Sequence, residues 1–172
     1  MSGAPERLAG RARGVGYNGG MLRTPVTHPE ILSALGRAGH LARVLIADGN
    51  YPHSTRRNPA AATVWANYRP GLLGGAEVLG MVCDLVPVEA VTVMEPAKEG
   101  PFAVDGDPPV WADYRRVLAE KAGYEGGFEA LQKPAFNELT ASEDLCLVIA
   151  TGEQALYANV LLTIGVVEPG PA

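Results

Sequence analysis

At 172 residues, with 47% hydrophobic and 19% charged side chains, the chain is sized and composed as one globular domain rather than a disordered segment. A net charge of −5 gives it no basic footprint, so no nucleic-acid partner is expected. No apolar run nears the roughly 20 residues that span a bilayer, which speaks against a membrane partner. Cys83 and Cys146 each lie in an apolar segment and read as buried thiols of a reducing, cytoplasmic compartment, too few beside three histidines for a zinc site.

Residues 1–20 are rich in glycine and arginine and lack the apolar core of a secretory signal. They read as a flexible N-terminal extension, with a single domain over residues 21–172. Thr27-His28-Pro29-Glu30 has the form of a capping box with Thr27 as N-cap and Pro29 in the first turn. Ile31, Leu32, Leu35 and Ala38 follow at helical spacing, and Gly39 reads as the stop. His40 comes next, then a short apolar strand, Val44 to Ala47, ending at Asp48. Ligands of α/β proteins gather at the carboxyl ends of strands, which makes Asp48 a candidate. His40, only eight residues earlier, is expected to share its region; the plainer alternative is a solvated residue at a helix end. The loop His53 to Asn58 is expected to face water, and His28 to serve only in a helix's first turn.

Residues 72–86 carry a second helical pattern through Val78, Leu79 and Val82, and Val91 to Met94 reads as a strand. Glu95 to Pro109 is rich in Gly, Pro and Asp and reads as loop. From Pro109 a third helix puts Trp111, Tyr114 and Leu118 on one face, until Gly123 to Gly127 break it. Lys133 to Phe136 leads into a short helical piece over Asn137 to Asp144. Leu145 to Ile149 is branched and apolar enough for a buried strand. After the turn Thr151-Gly152-Glu153, Tyr157-Ala158-Asn159 opens a last apolar run, Val160 to Ile164. On an extended segment Tyr157 and Asn159 point to one face, where phenol and carboxamide either hold a polyhydroxylated ligand or satisfy a sheet edge.

The alternation of helix and strand predicts a single-domain, three-layer α/β/α fold with a mixed, largely parallel sheet. No strand is followed by a phosphate-binding glycine loop, no G-x-S-x-G elbow occurs, and no paired CxxC is present.

Several of these segments together resemble the RbsD/FucU family of ribose pyranases and fucose mutarotases. The resemblance runs from Met21-Leu22-Arg23 through Pro29 to Leu35, Gly39-His40, Asp48, Asn50-Tyr51-Pro52 and Arg69-Pro70-Gly71-Leu72. Its most specific part is Thr151-Gly152-Glu153 followed by Tyr157-Ala158-Asn159. The resemblance implies a cofactor-free, metal-free isomerase of monosaccharide ring forms, working as a ring of subunits with sites near their boundaries. It implies that His40 is the catalytic acid/base and that Asp48, Lys133, Tyr157, Ala158 and Asn159 bind the sugar. Lys133 stands three residues before Phe136, where members commonly have Arg or His, and Asn137 replaces a larger residue of fucose-type members.

The chemistry suits these residue types. A cyclic sugar opens when its anomeric hydroxyl loses a proton and its ring oxygen gains one, which an imidazole can mediate near neutrality. The alternatives are a catalytically silent carbohydrate-binding or regulatory relative, and an enzyme of the same scaffold acting on another hydroxylated or carbonyl compound.

Overall fold

The computed structural model describes residues 22–167. Met21 and the expected N-terminal extension lie outside the described residues. Four helices and six strands alternate: α1 Pro29–Leu35, β1 Arg43–Ala47, β2 Ala62–Trp65, α2 Gly75–Cys83, β3 Val88–Met94, α3 Val110–Ala122, β4 Phe128–Leu131, α4 Lys133–Ala141, β5 Leu145–Ala150 and β6 Val160–Ile164. The strands form one sheet in the order β2-β5-β1-β6-β3-β4. β2, β5 and β1 run parallel to one another, as do β3 and β4; β6 lies antiparallel between β1 and β3. The three-layer, mixed-sheet expectation therefore holds.

Side-chain alternation builds the two outer layers. In β1, Val44 and Ile46 face one side with Ile31 and Leu35 of α1, Val78 and Leu79 of α2, and Trp111, Tyr114 and Leu118 of α3. Leu45 and Ala47 face the other side, where Phe136 of α4 packs with Val148, Leu161 and Tyr51. Three helices thus cover one face and α4 the other.

Local details differ from the sequence reading. Pro29 takes the first helical position, which its fixed φ favours. The N-cap is therefore His28 with no side-chain cap, and Glu30 pairs with His28 Nδ1 at 3.1 Å instead of closing a capping box. α1 ends at Gly36, not Gly39, because tighter turns follow: the Arg37 and Ala38 N–H groups donate to the Ala34 and Leu35 carbonyls. α4 begins at Lys133, four residues earlier than expected. Nor does the loop after β1 simply face water. His53 is buried edge-on between the rings of Tyr51 and Trp65, and Asn58 is buried with its amide donating to the Leu145 carbonyl. Arg56 alone of that loop's cations is exposed.

The sheet order decides where a site can form. Nine residues link β5 to β6, too few for a crossover helix, so the chain returns from the carboxyl end of β5. The ends of β1, β3, β4 and β5 and the start of β6 consequently share one edge of the sheet.

Candidate active site

At that edge is a cavity of about 390 Å³, walled by Asp48, Asn50, Tyr51, Met94, Glu95, Phe102, Lys133, Leu156, Tyr157 and Asn159. Asp48 follows β1 directly, and Asn159 directly precedes β6, the neighbour of β1. Strand pairing therefore brings them side by side, 111 residues apart in sequence. They exchange two hydrogen bonds: the Asp48 N–H donates to Asn159 Oδ1 at 3.0 Å, and Asn159 Nδ2 donates to Asp48 Oδ2 at 2.8 Å. The Asn50 N–H donates to Asp48 Oδ1 at 2.9 Å. Both side chains are buried. Loss of hydration lifts the Asp48 carboxyl above its ordinary value, against the N–H groups of Asn50, Ala158 and Tyr51, while the Glu153 charge adds to the rise.

Tyr157 is not on an extended segment. Its φ of 57° is left-handed, so alternation along a strand does not explain why it joins Asn159 in one cavity. The turn is held from below by α3: Trp111 Nε1 donates to the Tyr157 carbonyl at 2.9 Å, and the Tyr114 hydroxyl to the Ala158 carbonyl at 2.7 Å. Ala158 consequently turns its methyl into the core and takes no place in the cavity wall. The Tyr157 hydroxyl reaches the loop after β3, accepting from the Ala97 N–H at 3.0 Å and donating to the Phe102 carbonyl at 2.9 Å.

Lys133 is the first residue of α4 and lines the cavity while exposed. A cation at a helix N-terminus works against the helix dipole, so helix stability does not account for this position. Asn137, one turn on, does not line the cavity; its Oδ1 is buried without a partner.

Thr151-Gly152-Glu153 acts as scaffold. Thr151 Oγ1 donates to the Ala47 carbonyl at 2.9 Å. Glu153 accepts from the Gly75 N–H at 3.1 Å, capping α2, and from the N–H groups of Gln154 and Ala155. Gly152 must be glycine, since a Cβ there would sit 2.2 Å from the Leu72 carbonyl oxygen and 2.6 Å from that of Arg69.

His40 lies elsewhere. It precedes β1 whereas Asp48 follows it, and five residues of strand at roughly 3.3 Å each hold them about 16 Å apart. The shared region expected from their closeness in sequence does not form within one chain. His40 Nε2 instead lies 2.6 Å from Glu89 Oε2, at the start of β3. Among the described residues, no group of three or more His, Cys, Asp or Glu is placed to hold a metal ion. Sequence reasoning missed the apolar walls Met94, Leu156 and Phe102 and the supports Trp111 and Tyr114. The one available clue was an aromatic, Phe102, within a Gly/Pro-rich loop.

The chain is similar to known proteins over nearly its whole described length. The family model described as the RbsD / FucU transport protein family matches residues 21–167. A fucose mutarotase from Bos taurus is 35% identical over 149 residues, covering 82% of this chain and 90% of that protein. A D-ribose pyranase from Paracidovorax citrulli is 30% identical over 146 residues, covering 85% and 98%. Among solved structures, the fucose mutarotase from Streptococcus pneumoniae in complex with L-fucose matches with a TM-score of 0.68 and 25% identity, covering 82% of this chain and 94% of that one. Extent and identity, on a shared fold, decide the assignment: the chain belongs to the RbsD/FucU family.

Proposed function

We propose that the chain is a cofactor-independent isomerase that interconverts ring forms or anomers of a fucose- or ribose-type monosaccharide. The observation that carries this reading is the buried Asp48–Asn159 pair beside Tyr157 and Lys133 in one cavity. At about 390 Å³ the cavity is at the small end of ligand pockets, suited to one sugar ring. Polar groups concentrate at Asp48, Asn159, Tyr157 and Lys133, while Met94, Phe102 and Leu156 offer apolar surface to the C–H face of a sugar. In the reaction, a base takes the anomeric O–H proton as the bond between C1 and the ring oxygen breaks. The ring oxygen then receives a proton, leaving an open aldehyde; closure on the other face, or through another hydroxyl, reverses these transfers without net change in protons or electrons.

His40 supplies the base in this reading, and its distance from Asp48 requires a second copy of the chain. One end of the sheet bears the cavity, with Trp65, Tyr68, Phe102 and Leu156 exposed; the other bears His40, with Leu41, Val166 and Val167 exposed. Apposing unlike ends is a head-to-tail contact, which closes into a ring if the rotation allows. The proposed assembly is such a ring, each cavity completed by a neighbour's His40. No helix of the described residues is long and apolar enough to cross a membrane. The two free thiols, Cys83 and Cys146, support a cytoplasmic setting.

Saturation-transfer NMR across a panel of reducing sugars tests the activity. Accelerated anomer exchange, undiminished by EDTA, is expected for a pentose or 6-deoxyhexose; binding without exchange points to a silent relative. Light scattering should give an oligomer larger than a dimer, and a stable monomer at micromolar concentration defeats the ring. Mixing inactive His40→Gln and Asn159→Ala chains should restore part of the exchange, because some interfaces then pair an intact cavity with an intact imidazole.

A further inference from the structure

Glu89 has no part in the cavity, yet three local features meet around it. Pairing of β3 with β6 passes from Val88↔Ile164 to Ala90↔Thr163, so Glu89 is the extra residue of a β-bulge, a device that redirects a side chain. Gly165 lies against it: a Cβ there would come within 3.3 Å of Glu89 Cβ and 3.5 Å of its nitrogen. Leu41, directly after His40, holds a φ of 69°, a region costly for leucine, with its N–H donating to the Ile164 carbonyl at 2.9 Å. These features converge on the 2.6 Å contact between Glu89 Oε2 and His40 Nε2. Both side chains are 47% exposed, where an ion pair adds little to stability. A geometry this specific is better accounted for by the orientation of the imidazole.

We propose that Glu89 is a positioning residue that commits His40 Nε2, so that Nδ1 is the nitrogen exchanging protons with the sugar. The inference rests on the proposed role of His40 as the acid/base. A neutral imidazole carries one N–H, and an ionised carboxylate only accepts, so the pair selects the tautomer protonated at Nε2. The Nδ1 lone pair is then free to face a neighbouring cavity. It takes the proton of the anomeric hydroxyl as the ring C–O bond breaks, and the imidazolium returns that proton from Nδ1 to the ring oxygen. Through both transfers Nε2–H stays on Glu89, which stabilises the transient positive charge without itself gaining a proton. The roles match those of an orienting carboxylate and a histidine base in hydrolases, on an unrelated fold.

Long-range ¹⁵N–¹H correlation spectra of the full chain labelled at histidine, read on the neutral His40 ring, should show the Nε2–H tautomer. Glu89→Ala should mix the tautomers and slow exchange at saturating sugar roughly 10–100-fold, part of the 10²–10⁴-fold that acid/base catalysis contributes. Sugar affinity should stay unchanged, and Glu89→Asp should recover part of the rate. A wild-type His40 protonated at Nδ1 overturns the inference, as does a Glu89→Ala rate within about two-fold of wild type. Should Glu89→Ala fail to fold, the near-isosteric Glu89→Gln and the wild-type spectrum still decide the matter. His40→Gln with normal exchange would instead sink the reading of His40 itself, a result distinguishable from failure at Glu89.

Discussion

Asn159→Ala should unfold the protein more readily before it says anything about the sugar. Asp48 and Asn159 are 3% and 5% exposed, so neither is rescued by water when the other is lost. Truncation leaves the buried Asp48 N–H without its acceptor, which costs about 1–3 kcal/mol, and removes a donor to a carboxylate, worth about 1.5–3 kcal/mol. The two losses share one side chain and overlap, so the expected destabilisation is about 3 kcal/mol. With a urea m-value of about 2 kcal/mol/M for a domain of this size, the midpoint should fall by about 1.5 M with the slope unchanged. Asn159→Asp sharpens the test: it preserves shape but puts a second carboxylate beside Asp48 and cannot donate while ionised. Its stability should recover as the pH falls and one proton comes to serve both acids. A midpoint for Asn159→Ala equivalent to a loss below about 1 kcal/mol would refute the reasoning, because one ordinary exposed hydrogen bond would then suffice.

Gly152→Ala drives a methyl into two backbone carbonyls that cannot rotate aside, so about 3 kcal/mol is expected, the upper range of overpacking. Calorimetry should show Tm roughly 6–12 °C lower, and an unchanged Tm contradicts the contact. Burial raises the Asp48 carboxyl above its ordinary value of 3.8, so the folded state binds this proton more tightly than the unfolded chain. Its contribution is therefore fullest below that value and lost as pH rises through the folded value; Asp48→Asn should gain on wild type as pH is raised above about 4 in paired urea titrations, and parallel curves would remove the linkage. Tyr114→Phe leaves the Ala158 carbonyl without its phenol, costing about 1 kcal/mol of stability. Because that bond seats the Tyr157–Asn159 turn, sugar affinity by NMR titration should weaken as well; unaltered affinity would show that the turn holds itself.

What could be read from the sequence follows from burial. β1, β3, β5 and β6 are central strands, buried enough to leave apolar runs of branched residues. β2 and β4 left no such trace: each is a four-residue edge strand with only partial burial, so Ala62-Thr63-Val64-Trp65 and Phe128-Glu129-Ala130-Leu131 carry no strand pattern that the sequence reading could assign. The cavity's principal residues were recognisable, yet their partners were not. Asp48 meets Asn159 through the pairing of β1 with β6, and only tertiary structure shows Gly152 pressed on residues 69–72. The same limit separated His40 from Asp48, because a strand carries its two ends apart however few residues it has. At Tyr157 the face was right and the reason wrong, since a left-handed turn rather than strand alternation aims the ring.

The Tyr157 hydroxyl carries a consequence for the direction of recognition. A phenol has one proton to give and two lone pairs to receive with. The proton goes to the Phe102 carbonyl, and one lone pair takes the Ala97 N–H. What remains is a single acceptor, so while these two bonds hold a ligand can meet this oxygen only with a group that donates. A ring oxygen or a carbonyl oxygen, which only accept, find no proton there. On the proposed role of Tyr157 in sugar binding, the phenol would discriminate by hydrogen-bond polarity, accepting from a sugar alcohol group and offering no proton to an ether edge.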